Sequence, residues 1–166
     1  MDEYNTKKDN FTWIGLLIIL AASAVLMYLI FFVASPKDIT LKTRDIDRIA
    51  DMKSLSMAVE LYLADGANFD SLESDKIYRS NDGSVTADGT GWLPLNFQMV
   101  SSGAPIDFLP RDPVETASYR FTVNKENKTY ELDCLLEDKS NQTLARNDHG
   151  NNPDIYELGN DLGLIQ

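Results

Sequence analysis

An uncharged, apolar run near the N-terminus, residues 13–34, constrains this chain more than any other feature. It spans about 22 residues, enough for one helix to cross a bilayer core roughly 30 Å thick. Cleaved secretory signals usually have a shorter apolar core of about 7–15 residues. We therefore interpret residues 13–35 as a retained transmembrane anchor that follows a short tail, residues 1–12. A buried helix of a soluble protein and a removed signal sequence are the alternatives.

The charge of the chain is strongly negative, -11 at pH 7. From residue 65 onward, 18 acidic residues outnumber 8 basic ones, so this part alone carries about -10. Such a surface repels phosphate backbones and anionic lipid headgroups, which disfavours nucleic acid as a partner. The charge is compatible with cations, with basic partners and with simple solubility.

Orientation in the membrane is set by the residues that flank the apolar run. The flanking basic residues are Lys7, Lys8, Lys37, Lys42, Arg44 and Arg48. A count of Lys and Arg on the two sides of the apolar run would place the C-terminal side in the cytoplasm. Long domains, however, translocate largely regardless of charge. We expect a single-pass protein in contact with membrane lipid, with its N-terminus in the cytoplasm and the acidic head outside.

Residues 36–65 have the pattern of an amphipathic stalk helix. Its apolar side chains recur every three or four positions, at Ile46, Ile49, Met52, Leu55, Val59 and Tyr62. Asp47 and Asp51 lie at helical pairing distance from Arg44 and Arg48. Pro36 permits either one long kinked helix or two successive helices, and Gly66 suits the end of the stalk. The apolar stripe needs a surface to cover it, which only residues 66–166 can provide.

The head, residues 66–166, has a β pattern in its second half. Residues 66–90 are polar and rich in turn formers, and residues 92–97 should lie at a sheet edge or across the core. Alternation at residues 119–123 and 130–136, around a polar turn, predicts an antiparallel hairpin with one wet and one dry face. Residues 155–158 predict a third strand. The lone Cys134 excludes an intramolecular disulfide and is expected to be a small buried hydrophobe.

The order of these parts resembles type IV pilin-like proteins, especially the major pseudopilin of type II secretion. The stretches that carry the resemblance are FTWIG at residues 11–15, RDIDRIADMKSLSMAVELYLADGANF at residues 44–69, and then GWLPLNF, LPRDP, YRFTV, YELDC and NDHGNNPDIYELG. It implies an α+β fold, in which a long transmembrane-plus-amphipathic helix packs on a small antiparallel β-sheet. It also implies a structural role in a type IV pilus or type II secretion pseudopilus, with anchor and stalk contacting other pilin-like subunits.

Two positions depart from the pattern of that family. Asn10 stands where the family has the glycine that precedes its cleavage point, and Gly15 stands where it has a glutamate. An unpaired charge in a membrane is costly, so the joint loss of a free amine and its carboxylate partner is physically coherent. The alternative is therefore an uncleaved, membrane-tethered module that binds a cation or another ligand and does not polymerise.

The loop at residues 147–154 is rich in the oxygen ligands that calcium prefers. The major pseudopilins carry calcium in a C-terminal loop, and the corresponding candidates are Asp148, Asn152 and Asp154. A solvated Asn/Gly turn is the alternative. His149 is the only histidine and has no nearby cysteine or nucleophile motif, so we expect no catalytic residues and no enzymatic activity.

Overall fold

The computed structural model describes residues 3–33 and 36–166, with side chains for residues 12–32 and 37–166. Helices α1 and α2 are followed by a small sheet, and a short third α-helix connects its last two strands. In chain order the elements are α1 (Glu3–Val33), α2 (Pro36–Ala64), β1 (Tyr78–Arg79), a 3-10 helix (Phe97–Met99), β2 (Arg120–Asn124), β3 (Thr129–Leu135), α3 (Gln142–Arg146) and β4 (Ile155–Gly159). This arrangement confirms the α+β prediction. The chain divides into two units, residues 1–40 and 41–166.

The first unit contains one helix that is long and apolar enough to cross a membrane. The apolar segment Thr12–Phe32 has 21 residues, a mean hydropathy of 2.7, and none of it is buried. A signal sequence near the N-terminus has the same properties, so the segment is compatible with either role. The predicted break between anchor and stalk lies at residues 34–35, outside the described residues.

In the second unit, α2 packs one face against the sheet. Met52, Leu55 and Val59 are fully buried, as predicted, whereas Ile46 is 63% exposed. The prediction that Ile46 belongs to the buried stripe is wrong, because at 100° per residue it lies about 120° around the helix from Met52. Arg48 lies only about 40° from Met52, and it is Arg48 that is buried there.

The end of α2 is closed by a glycine, as predicted. Gly66 has a φ of 89°, in the left-handed region that favours glycine. Its backbone N–H donates to Leu63 O, and the N–H of Ala67 donates to Tyr62 O at 3.3 Å. This pair of bonds is a Schellman motif, which satisfies carbonyls that the last helical turn leaves free.

The sheet has four antiparallel strands in the order β1-β2-β3-β4. The predicted hairpin is β2 and β3, with Phe121 opposite Leu132 and Val123 opposite Tyr130. The predicted third strand is β4, which pairs with β3. The two-residue strand β1 was not predicted. Residues 92–97 run across the core, which confirms one of the two predicted placements, with Trp92, Leu93, Leu95 and Phe97 all buried.

The second face of the sheet points away from the core and is covered in its middle. Four polar side chains there are no more than 1% exposed: Thr122, Glu131, Asp133 and Glu157. The prediction of one wet face is therefore wrong for the middle of this face, whereas Arg79 and Leu135 towards its ends are exposed. The reason is a long-range one: residues 160–165 return over this face, and the backbone N–H groups of Leu164 and Ile165 donate to Glu131 Oε2 at 2.7 and 2.9 Å.

Candidate functional site

A row of four charged side chains crosses the second face of the sheet. The strand register places Arg79 opposite Arg120, Arg120 opposite Asp133, and Asp133 opposite Glu157. Because side chains alternate along a strand, these four share one face. Arg120 neutralises Asp133 through Nε to Oδ1 at 2.7 Å and Nη2 to Oδ2 at 2.5 Å. The row is thus basic at the β1 edge and acidic at the β4 edge.

The acidic end of this row contains buried carboxylate oxygens that lack hydrogen-bond partners. They are Oε1 of Glu131 and Oε2 of Glu157. Burial, together with the negative charges of Glu131 and Asp148, raises the pKa of Glu157 to about 7. Burial also raises the pKa of Glu131 and of Asp133. Near neutral pH this region therefore holds a carboxyl group that readily gains or loses a proton.

The predicted calcium loop lies beside Glu157. Asp148 Oδ1 accepts from the backbone N–H of Gly150 at 2.8 Å, and Oδ2 accepts from the N–H of Glu157 at 2.9 Å. The backbone N–H of Asn152 points towards the Glu157 carboxylate and partly offsets the rise in its pKa. A side chain at Gly150 would overlap that carboxylate, so the close approach requires glycine.

The third predicted ligand, Asp154, is exposed at the outer end of the loop. Its backbone N–H donates to Asn152 Oδ1 at 3.1 Å, which is the hydrogen bond of an ordinary Asx turn. Within residues 3–33 and 36–166, no three His, Cys, Asp or Glu side chains converge in a way that could hold a metal ion. Calcium at Asp148, Asn152 and Asp154 stays a prediction. His149 is exposed, with a φ of 73°.

Glu157 is the residue of this region that sequence reasoning did not single out. The only signal for it was its alternation with Tyr156 and Leu158, which suggested a solvent-facing side chain. The loop at residues 147–154 covers it, because Gly150 lies directly against its carboxylate and Asp148 accepts from its backbone N–H. A strand pattern read alone does not show that a neighbouring loop folds back over one of its polar positions.

A second polar cluster, which we call the Arg48 cluster, connects α2 to the sheet. Arg48 donates from Nε and Nη2 to both oxygens of Asp112, at 2.7 and 2.9 Å. Its Nη1 also donates to Asp45 at 2.9 Å and to Glu137 at 2.7 Å. The side chains of Arg48, Asp45 and Asp112 are no more than 1% exposed. Three carboxylates thus surround one buried guanidinium, which keeps the cation charged and its donors satisfied.

The helical charge pairs predicted from the sequence are not the ones observed. Arg44 and Arg48 both pair with Glu137 rather than with Asp47. Asp51 instead accepts a hydrogen bond from the Tyr119 hydroxyl at 2.7 Å. The prediction of i, i+3 and i, i+4 pairs with Asp47 and Asp51 is wrong, because Arg48 is buried against the sheet, where Asp112 and Glu137 meet it, and its helical partner is the equally buried Asp45.

Cys134 is buried in the core, as predicted, and is 1% exposed. Burial raises the pKa of its thiol, so the thiolate form is disfavoured. It therefore packs as a small apolar side chain.

Comparisons with family models, with curated proteins and with solved structures give no match for this chain. The α+β arrangement is consistent with the resemblance to pilin-like proteins without identifying the family. The function is therefore argued from the residues and the geometry described above.

Proposed function

We infer that this chain is a single-pass, pilin-like structural protein, a subunit or accessory of a type IV pilus or type II secretion pseudopilus. Two features support the inference: the exposed apolar segment Thr12–Phe32, and the packing of α2 on a four-stranded antiparallel sheet. In this function the N-terminus lies in the cytoplasm and the acidic head lies outside the membrane. In keeping with the expectation from the sequence, the proposal includes no enzymatic role.

The observation that carries the inference is a second, mainly apolar stripe on α2, on the side facing away from the sheet. We call it the outer stripe: Ile46, Ala50, Met57 and Leu61, with the exposed Lys53 on the same side of the helix. At 100° per residue the four apolar positions fall within about 60° of the helix circumference. Ile46 and Met57 are 63% and 62% exposed, and Leu61 is 41% exposed. A helix that already buries one apolar face and displays another is suited to lateral packing against a neighbouring helix.

Two effects favour such packing: the burial of apolar side-chain surface and the confinement of the copies to one membrane. Burial of apolar surface contributes about 25 cal/mol per Å², so a few large side chains stabilise a lateral contact by a few kcal/mol. An anchor that holds copies in one membrane raises their local concentration and reduces the entropy lost on association. The acidic heads repel one another, which leaves the outer stripe as the favourable contact.

Oxidative cross-linking tests this contact directly. In the full chain in membranes, Met57→Cys is expected to form disulfide-linked dimers when copper phenanthroline is added. The native thiol of Cys134 is buried and serves as the unreactive background. Asp47→Cys is the matched control, because position 47 is also exposed but lies about 80° around the helix from Met57. Equal cross-linking at both positions, or none at position 57, would contradict lateral packing through the outer stripe.

The uncleaved, tethered module is the second candidate function, and specific residues favour it. Asn10 and Gly15 replace the residues that a cleaved pilin-like subunit uses for processing and register. The unpartnered oxygen of Glu157 supplies a site at which such a module could hold a cation. Mass spectrometry of the membrane-bound protein separates the two functions. A methylated N-terminus at Phe11 supports the subunit, whereas an intact Met1 supports the tethered module.

A further inference from the structure

A cleft of about 430 Å³ opens on the second face of the sheet, where Asp133 of the charged row lines it. Its size is within the range of pockets that hold small ligands or short peptide segments. Its lining combines apolar side chains with three arginines: Val114, Ala117, Leu135, Ile155, Arg48, Arg79 and Arg120. Leu135 is 52% exposed and contributes apolar surface to the cleft. The cleft therefore offers an apolar surface next to positive charge.

One arginine of this cleft, Arg79, forms no ion pair within the part of the chain that the structure describes. Arg120 is paired with Asp133, and Arg48, which also lines the cleft, is surrounded by three carboxylates. Arg79 is exposed and forms no ion pair with any of the described residues. It lies directly opposite Arg120 in the strand register, and like charges at facing positions destabilise a sheet. Arg79 lies close enough to Asp133 to offset part of the rise that burial causes in the pKa of that carboxyl group, but it does not bond to it, so its hydrogen-bond donors have no carboxylate partner among the described residues.

We propose that this cleft binds an anionic ligand in which one carboxylate lies next to an apolar group. The carboxylate accepts two parallel hydrogen bonds from the planar guanidinium of Arg79, and the apolar group covers Leu135 and Val114. The bound anion also relieves the repulsion between Arg79 and Arg120. Because Asp133 and Glu137 line the same cleft, a second negative charge on the ligand would be repelled. This argues for a monoanion and against a phosphate.

Two sources can supply this chemistry: an acidic residue within a peptide, or a free short-chain carboxylic acid. Isothermal titration calorimetry on the full chain in phosphatidylcholine nanodiscs tests both. The peptide probe is acetyl-Leu-Glu-Leu-amide, with acetyl-Leu-Gln-Leu-amide as its uncharged counterpart, and the free-acid probe is 4-methylpentanoate. We expect the Glu peptide, the free acid or both to bind and the Gln peptide to bind at least about tenfold more weakly. Binding of the peptide alone identifies a protein segment as the source, and comparable binding of the free acid identifies a small molecule.

The assignment to Arg79 is tested with matched variants. Arg79→Gln is expected to weaken binding at least about tenfold, while Arg146→Gln, which removes the same charge from an exposed position outside the cleft, changes it less than about twofold. Without ligand, the melting temperature of Arg79→Gln should equal or exceed that of the wild type, which a purely structural arginine would not allow. Leu135→Ser should also weaken binding, through loss of the apolar contact. Equal binding of the Glu and Gln peptides, equal binding of inorganic phosphate, or full binding by Arg79→Gln would overturn the proposal.

Discussion

Arg48 and Asp112 are 64 positions apart and form a two-point ion pair in which each side chain is 1% exposed. The pair links α2 to the connector that leads into β2. Taking two charges out of water is expensive, and the cost is offset only while every partner is present. The Arg48 cluster therefore makes the stability of the head sensitive to single substitutions.

Replacing Arg48 by methionine is expected to destabilise the protein by about 3–5 kcal/mol, because Asp45 and Asp112 would remain buried without their cation. Urea unfolding of the full chain, followed by tryptophan fluorescence, measures the loss. Arg44→Met is the control, since Arg44 and its partner Glu137 are 28% and 26% exposed and such a pair contributes about 1 kcal/mol or less. If the two variants lose the same free energy of unfolding, burial of the Arg48 cluster is not the cause of the destabilisation.

Removing the Tyr119 hydroxyl tests a second polar contact of α2, the hydrogen bond that Asp51 accepts from Tyr119. Tyr119 donates to the Asp51 carboxylate at 2.7 Å, whereas Tyr130 contacts the Ser56 hydroxyl at 2.9 Å and reaches the Glu60 carboxylate only at 3.4 Å. Hydrogen bonds to charged groups contribute about 1.5–3 kcal/mol and neutral ones about 0.5–1.5 kcal/mol. Tyr119→Phe should therefore cost more than Tyr130→Phe in the same unfolding experiment. The reverse order would count against an ionised Asp51.

The raised pKa of Glu157 predicts a loss of stability as pH increases. The carboxyl group ionises near 4.5 when unfolded and near 7 when folded, so between these values the folded state binds more protons. The free energy of unfolding should fall with pH across this window, by up to about 1.4 kcal/mol per pH unit. Unfolding in chelator from about pH 5 to about pH 8, compared with Glu157→Gln, isolates the effect. Identical pH profiles for the two proteins would remove Glu157 as the cause.

Calcium binding in the loop at residues 147–154 predicts a shift in thermal stability. A ligand that binds only the folded state at about 100 times its dissociation constant adds about 2.7 kcal/mol, which raises the melting temperature by several degrees. Asp148→Asn should reduce the shift, and Asp82→Asn, which removes the same charge from a different exposed turn, should not. A melting temperature that is the same in calcium and in chelator would show that this loop does not bind calcium.

Much of the fold could be predicted because its signals are local. The alternation of Tyr119, Phe121 and Val123 with polar residues marks a strand whatever lies elsewhere in the chain, and the same holds for the apolar run in α1. Gly66 marks a helix end for an equally local reason, its left-handed φ. The two-residue strand β1 is too short to carry any periodic signal.

The features that could not be predicted depend on long-range contacts. From its local sequence Arg48 is expected to be exposed, because the contacts with Asp112 and Glu137 that bury it are distant in the chain. Ile46 is expected to be buried when only the spacing of apolar residues is considered. Glu131 and Glu157 alternate as solvent-facing residues should, but residues 160–165 return over Glu131 and the loop at residues 147–154 covers Glu157. Charged side chains are buried in pairs or clusters, and a local pattern contains only one member of each.

The shortness of β1 has a consequence for self-association. A sheet edge with free N–H and C=O groups is a template on which strands of other molecules can add, and long, flat edges promote aggregation. Of the two edges of this sheet, the one formed by β1 consists only of Tyr78–Arg79 and carries a charged side chain. It offers an incoming strand very few backbone hydrogen bonds, so concentrated protein should resist fibril-like stacking along that edge.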